Sequence, residues 1–426
     1  MRNRRGRGAR THACRAETHL GAWFHFTLTA LLIAPALFAQ TPTIVLRAGT
    51  VLDGKGGVSR NRSIVVQGST IKSIDASAPA SAYDLRNLTV LPGMIDTHVH
   101  IAWHFGPDGR YQPRDDSQVT ALGYAMENAY VTLMGGFTTV QSVGSPIDKD
   151  LKFAINRGVL PGSRVLTSLR AISDPRQTPE QIREAVRKMG ADGADLIKIF
   201  ASKSMRDGGG QTLSKEQIEA ACGEAKTLNL RAIVHVYQPE TIKQVADAGC
   251  TAAEHGTLAD ADALKELAAR GTYFDPNIGV VAQNYLANKA RFLGFGNYTE
   301  EGMAAMQKSI PLALAVFKQA LATPNLKIVL GTDAVAGAHG RNVEELVVRV
   351  QDGGQDPMAA IVSGTSLSAQ SLNLGDKIGT LAPGMEADII GVEGDPLKDI
   401  TALRRVVFVM KGGKVYKYQP GNKTGK

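Results

Sequence analysis

The sequence predicts an α/β fold: a (β/α)8 TIM-type barrel carrying a small β-sandwich built from both chain ends. Three observations predict it. Across residues 91–375, short apolar β-rich runs alternate with amphipathic helical stretches, the pattern of a parallel sheet with crossover helices. Eight such runs begin at Thr89, Thr138, Arg164, Leu196, Ala232, Thr251, Thr272 and Ile328, and eight strand-helix units over about 280 residues fit a barrel. The two ends, residues 40–90 and 376–420, read instead as antiparallel strands between glycine turns, each too short to bury a core alone.

Taken in chain order, residues 1–39 form the first element. Arg2, Arg4, Arg5, Arg7, Arg10 and Arg15 precede an apolar run over 22–38 that closes in Pro35-Ala36-Leu37-Phe38-Ala39-Gln40. The run is short for a membrane span and ends at a small residue, so it reads as a signal peptide cleaved after Ala39, with an uncleaved anchor as the alternative. Residues 43–48, 63–67 and 70–74 are strand-like, with Gly54, Gly56 and Gly57 between them. In the barrel, helices are expected at 118–134, 179–189, 215–228, 239–247 and 261–269, with Thr178 and Ser214 as N-caps. Strands at 388–392, 406–411 and 414–418 complete the small domain, with Gly412-Gly413 as a hairpin turn.

Composition narrows the partners. The 426 residues are 43% hydrophobic and 21% charged, which excludes a disordered or collagenous chain. Of the formal charge of +8, +5 lies in the leader, and the remaining +3 forms no basic stripe, so nucleic acid is not an expected partner. The chain is expected to act outside the cytoplasm, periplasmic or secreted, with no stable membrane span after cleavage. A homo-oligomer is compatible with the sequence, which fixes no subunit number. Cys222 and Cys250 could pair in that compartment, but their spacing matches no zinc or redox motif, and they are read as small buried apolar residues.

The chemistry lies in the histidines. His98 and His100 follow the first barrel strand, His235 ends the fifth, His255 ends the sixth, and Asp333 follows the eighth. A parallel barrel brings all these strand ends to one face, where active sites of the fold are built. A lone His-Val-His is weak evidence, because alternation puts many such pairs on one side of a strand. Nitrogen and oxygen ligands at three further strand ends turn the balance towards zinc or a similar divalent ion. Lys198, among Leu196, Ile197, Ile199 and Phe200, is costly as a buried cation. Its neutral amine can react with carbon dioxide to give a carbamate that bridges two metals. The alternative is an ion pair with Asp195 or another carboxylate at the barrel mouth.

Leu91-Pro92-Gly93-Met94-Ile95-Asp96-Thr97-His98-Val99-His100, Ala253-Glu254-His255-Gly256 and Gly331-Thr332-Asp333-Ala334 together resemble the strand signatures of the amidohydrolase superfamily of metal-dependent hydrolases. Residues 379–388 are similar to the segment where that family re-enters its small sheet domain. The resemblance spans roughly residues 43–418 and points to the binuclear branch near imidazolonepropionase and prolidase-like dipeptidases. It implies that His98, His100 and Asp333 hold one metal, that His235 and His255 hold the other, and that carbamylated Lys198 bridges them. It further implies that Asp333 takes a proton from a water shared by the metals. Gln238 stands where mononuclear deaminases carry a glutamate, which argues against deamination. The loop at 170–178 is shorter than in the family and lacks its histidine, which puts specificity in doubt.

Tyr237 resembles the tyrosine that prolidase-like members place near the scissile carbonyl, where a phenol stabilises an oxyanion. His339, in the loop after Asp333, is the second candidate for substrate contact. His104 is expected to pack beside Trp103 and Phe105. The expected activity is hydrolysis of a small-molecule amide, that of a dipeptide or N-acyl amino acid. Opening of a cyclic amide is the alternative. A barrel kept only as a binding module would have no need of six metal-competent residues at strand ends.

Overall fold

The computed structural model describes residues 43–76, 82–111 and 116–419, so the leader expected at 1–39 lies outside the described residues. The chain first lays down β1 (Thr43–Leu52), β2 (Val58–Gln67), β3 (Thr70–Asp75) and β4 (Tyr83–Pro92). It continues through β5 (Met94–Val99), β6 (Phe137–Ser142), β7 (Arg164–Thr167), β8 (Ala171–Ile172), β9 (Leu196–Phe200), β10 (Arg231–Val236), β11 (Ala252–His255) and β12 (Tyr273–Asp275). β13 (Ile389–Glu393), β14 (Val406–Lys411) and β15 (Lys414–Tyr418) follow the last helices.

Strands from both ends join as expected, but in hydrogen bonding the sandwich is a single seven-stranded sheet, ordered β15-β14-β13-β4-β1-β2-β3. The strand expected from Thr89 is really two. β4 pairs with β1 and β13 in the small sheet, β5 pairs with β6 in parallel, and Gly93 lies between them. A Cβ at Gly93 would lie 2.2 Å from the Thr138 hydroxyl oxygen, so only glycine lets the chain pass so close to β6.

The parallel strands form two sheets, β5-β6-β7 and β8-β9-β10-β11-β12, in a TIM-barrel-like α/β arrangement. A few backbone bonds bridge the gaps, among them Asp195 N to Thr167 O, Phe274 N to Lys327 O, and Thr97 N to Leu330 O. The eighth strand expected at Ile328 is reduced to isolated bridges, Ile328 with Phe274 and Ala334 with Val99. The reason is local. Side chains take its amides, Gly331 N donating to Asp275 Oδ1 and Thr332 N to Asp96 Oδ1, and Asp333 adopts a φ of 51°.

Alternation along these strands decides which residues face inwards. Ile197, Ile199, Val234 and Val236 pack outwards with the helices, while Leu196, Ile233 and Ala252 pack together inside. Lys198, His235 and Glu254 share the parity of the inner set. The covering helices form where caps dictate: Thr178 and Ser214 each make a capping box with a glutamine three residues on, opening Pro179–Asp192 and Lys215–Thr227. Helices Val280–Ala287, Lys289–Phe292 and the 22-residue Glu300–Leu321 fill the interval between β12 and the Ile328 bridge, where the strand-helix pattern implied a helix without giving its bounds.

Cys222 and Cys250 are joined in a disulfide rather than buried as free thiols. The helix Lys215–Thr227 and the turn before β11 bring their Cα atoms to 5.1 Å, within bonding geometry, which their spacing of 28 residues gave no means of foreseeing. No helix among the described residues is long and apolar enough to cross a membrane.

Candidate metal centre and active site

β5 carries His98, His100 lies just past its end, and the segment running parallel beside it ends in Asp333. His98 Nε2 lies 3.3 Å and His100 Nε2 3.2 Å from the same oxygen, Asp333 Oδ1. These three residues form one group whose ligand atoms all lie within 4.8 Å of one another. A second such group joins His98 and His255 with Glu254. The His235 ring sits 4.6 Å from that of His255, and β10 and β11 set His235 directly opposite Glu254. His255 and Asp333 both have left-handed backbones, with φ of 68° and 51°. Such conformations are uncommon outside glycine, and two at the two ends of one constellation mark it as functional.

Lys198 is fully buried in β9, and its ammonium donates to the Glu254 carboxylate. Its Nζ also lies 3.4 Å from His98 Nε2. In its unmodified form the lysine pairs with Glu254, the other carboxylate allowed for beside Asp195. Asp195 is engaged elsewhere, by Lys152 at 2.6 Å. Glu254 also reaches the other face of His98, its Oε1 3.1 Å from Nδ1 but without the alignment of a hydrogen bond.

Burial first, then the Lys198 charge, holds His98 and His235 well below the usual histidine range. Burial, then the neighbouring His235 and Lys198, does the same to His255. Neutral imidazoles with free lone pairs are the form that binds metal. Three of them beside a carboxylate are a donor set suited to divalent ions. Glu254 moves the other way, pushed up by burial against the opposing pull of Lys198.

Above this floor opens a cavity of about 200 Å³. His98, His100, His235, His255 and Asp333 line its base. Trp103, Phe200, Tyr237, Tyr285, Tyr298 and Met306 form much of its wall. Tyr237 is buried and stacks on His255 at 5.3 Å, so its hydroxyl belongs to the base of the cavity. Burial, followed by the Asp333 charge, raises its phenol pKa, keeping it a donor.

Of the residues singled out in the sequence, His98, His100, His235, His255, Asp333 and Tyr237 thus converge, with Lys198 just beneath. His339 is not among the residues lining the cavity. It is half-buried, with its pKa lowered to about 3 by burial and then by His100. His104 stacks on Tyr124 at 3.9 Å and pairs with Asp116 at 2.6 Å, rather than packing with Trp103 and Phe105. Glu254 was not foreseen as a site residue. Its inward parity on β11, the same as that of His235 on β10, was the available signal. Arg206, Tyr285 and Tyr298 were also missed, since they come from loops and helices whose position no strand pattern reports.

The Amidohydrolase family model matches residues 89–416. Ochratoxinase from Aspergillus niger is 26% identical over 442 aligned positions, covering 90% of this chain and 89% of its own. Among solved structures, a Xaa-Pro dipeptidase with methionine bound in its active site aligns at a TM-score of 0.79 with 31% identity, covering 88% of this chain and 100% of that one. The crystal structure of A. niger ochratoxinase aligns at 0.76 with 23% identity, covering 89% of this chain and 96% of that one, a likeness of fold.

Proposed function

The chain belongs to the amidohydrolase family, and from that premise we propose an exported, binuclear, zinc-dependent enzyme that cleaves the amide bond of a dipeptide or N-acyl amino acid. That it is a hydrolase of carbon-nitrogen bonds follows from the family and its relatives. The observation that carries the finer reading is the junction of a neutral imidazole cluster, closed by Asp333, with an aromatic cavity. The names of the two similar proteins, an ochratoxinase and a Xaa-Pro dipeptidase, favour small substrates over polymers.

When bound, two divalent ions held by His98, His100, His235, His255 and Asp333 would polarise the scissile carbonyl and acidify a water. Asp333, between His98 and His100 at the cavity base, accepts the proton of the attacking water and returns it to the leaving nitrogen. The Tyr237 hydroxyl donates to the carbonyl oxygen as charge develops there. Lys198, as a carbamate, would supply oxygen ligands to the ions. For this the ammonium must first lose a proton, and so its donation to Glu254; the neutral amine then bonds to the carbon of carbon dioxide and releases a second proton to solvent. The disulfide supports export, because such bonds persist in oxidising compartments.

The test combines metal analysis with turnover of a panel of dipeptides and N-acyl amino acids. About two zinc ions per chain are expected, and chelation should abolish hydrolysis until metal is restored. A chelated, metal-free protein that still hydrolyses the panel would sink the proposal.

A further inference from the structure

Arg206 is the one side chain bearing a full positive charge among those lining the cavity. It sits on the short turn Met205–Asp207 beyond β9, with its guanidinium 4.0 Å from the ring centre of Tyr298 and 5.2 Å from that of Tyr285. Its Nε donates to Asn297 Oδ1 at 3.1 Å. Among the described residues no carboxylate forms an ion pair with it, in contrast to two other arginines packed into the fold. Arg164 holds Asp388 and Glu386, and Arg349 holds Glu345. A half-buried cation at a cavity wall, oriented by two aromatic faces and an amide yet without a counter-ion, is built to receive an anion.

The turn also places that anion. The Met205 backbone hydrogen-bonds the Tyr237 hydroxyl, and Gly209 is so close that a Cβ there would lie 3.1 Å from Tyr237 Cβ. Arg206 therefore stands beside the hydroxyl assigned to the scissile carbonyl. In an acylated amino acid, the carboxylate is separated from the amide nitrogen by only the α-carbon. Tyr285 and Tyr298 flank the guanidinium, and Met306, Ile310 and Val281 add apolar surface to the same cavity.

We infer that Arg206 is the carboxylate clamp of the substrate site, restricting it to amides whose leaving amino acid has a free α-carboxylate and an aromatic or large apolar side chain. The inference rests on the amide-hydrolase reading above. Uncharged esters or carboxamides of the same compounds leave the guanidinium unpaired, and a charged hydrogen-bonded pair lost in a closed site costs about 100-fold.

Two measurements test it. The first compares kcat/KM for N-acetyl-L-phenylalanine and N-acetyl-L-phenylalaninamide in wild type, Arg206→Met and Arg206→Lys. Wild type should prefer the acid roughly 100-fold, mainly through KM. The preference should fall to within a few-fold of one in Arg206→Met and be intermediate in Arg206→Lys, which keeps the charge without the planar fork. The second is calorimetric titration of the same proteins with 3-phenylpropanoate and 3-phenylpropanamide. Tighter binding of the acid, lost in Arg206→Met, supports the clamp even if no amide on the panel is cleaved, an outcome that would discard only the hydrolytic reading. Equal use of acid and carboxamide by wild type, or unchanged discrimination in Arg206→Met, overturns the clamp and leaves hydrolysis standing.

Discussion

Asp333 and Tyr237 lie on the same cavity floor but differ in kind. In the proposed mechanism Asp333 is both a ligand and the proton carrier, so Asp333→Asn should remove nearly all turnover even where some metal stays bound, because an amide cannot accept the proton. Tyr237→Phe deletes the donor proposed for the oxyanion and should lower kcat by about 10²-fold with metal content unchanged. Steady-state kinetics beside metal analysis separates the two. Loss of metal from Tyr237→Phe would show that the tyrosine is misassigned. The sequence made most of this floor legible, because strand-end position and alternation suffice to bring His98, His100, His235, His255 and Asp333 together. The partner of Lys198 was not legible. Asp195 is nearer in sequence, but it is drawn away by Lys152, and only the register of β10 on β9 and β11 sets Glu254 beside the lysine.

Strands and their junctions fix how accurately that floor is held. Asp96, fully buried on β5, accepts hydrogen bonds from His98 N, Thr332 N, Thr332 Oγ1 and Asn342 Nδ2. One carboxylate thus ties the His98–His100 strand to the segment bearing Asp333. Gly93 sets where that strand enters. Gly93→Ala pushes a methyl into Thr138, and an expected cost of about 1 to 3 kcal/mol should appear as a lower midpoint of chemical denaturation. The double variant Gly93→Ala/Thr138→Ser should recover part of the loss if the clash is the cause. Full cost in the double variant would place the cause elsewhere. Helices with capping boxes were readable to within a few residues. The cluster at 280–321 was not, because its helices serve the cavity rather than a strand-helix alternation. The Ile328 strand was overread, since apolar pattern cannot reveal that carboxylates from Asp96 and Asp275 take its amides.

For the molecule as a whole, the disulfide is the feature with the clearest energetic consequence. It closes a loop of 28 residues, worth about 3 to 4 kcal/mol by chain entropy. Cys250 precedes β11, whereas His255 ends it, so the bond lies at the opposite end of the strand from the ligands. Cys222→Ser/Cys250→Ser should therefore unfold at lower temperature than wild type but retain metal content and KM. A double variant as stable as the parent would show that the bond is dispensable.

The seven-stranded sheet has another consequence, set by the order in which the chain is made. β4 is bordered on one side by β1 and on the other by β13, whose register pairs Ile389 with Pro92 and Gly391 with Val90. At about 5 to 20 residues per second, some 300 residues and roughly 15 to 60 s of synthesis separate the two. Throughout that interval the Val90-Leu91 edge has no native partner, and an open apolar edge is a template for pairing with other chains. The small sheet can close only when nearly the whole polypeptide exists. A chain handed to an export machine while still unfolded would meet that constraint after crossing, all at once, instead of strand by strand on the ribosome.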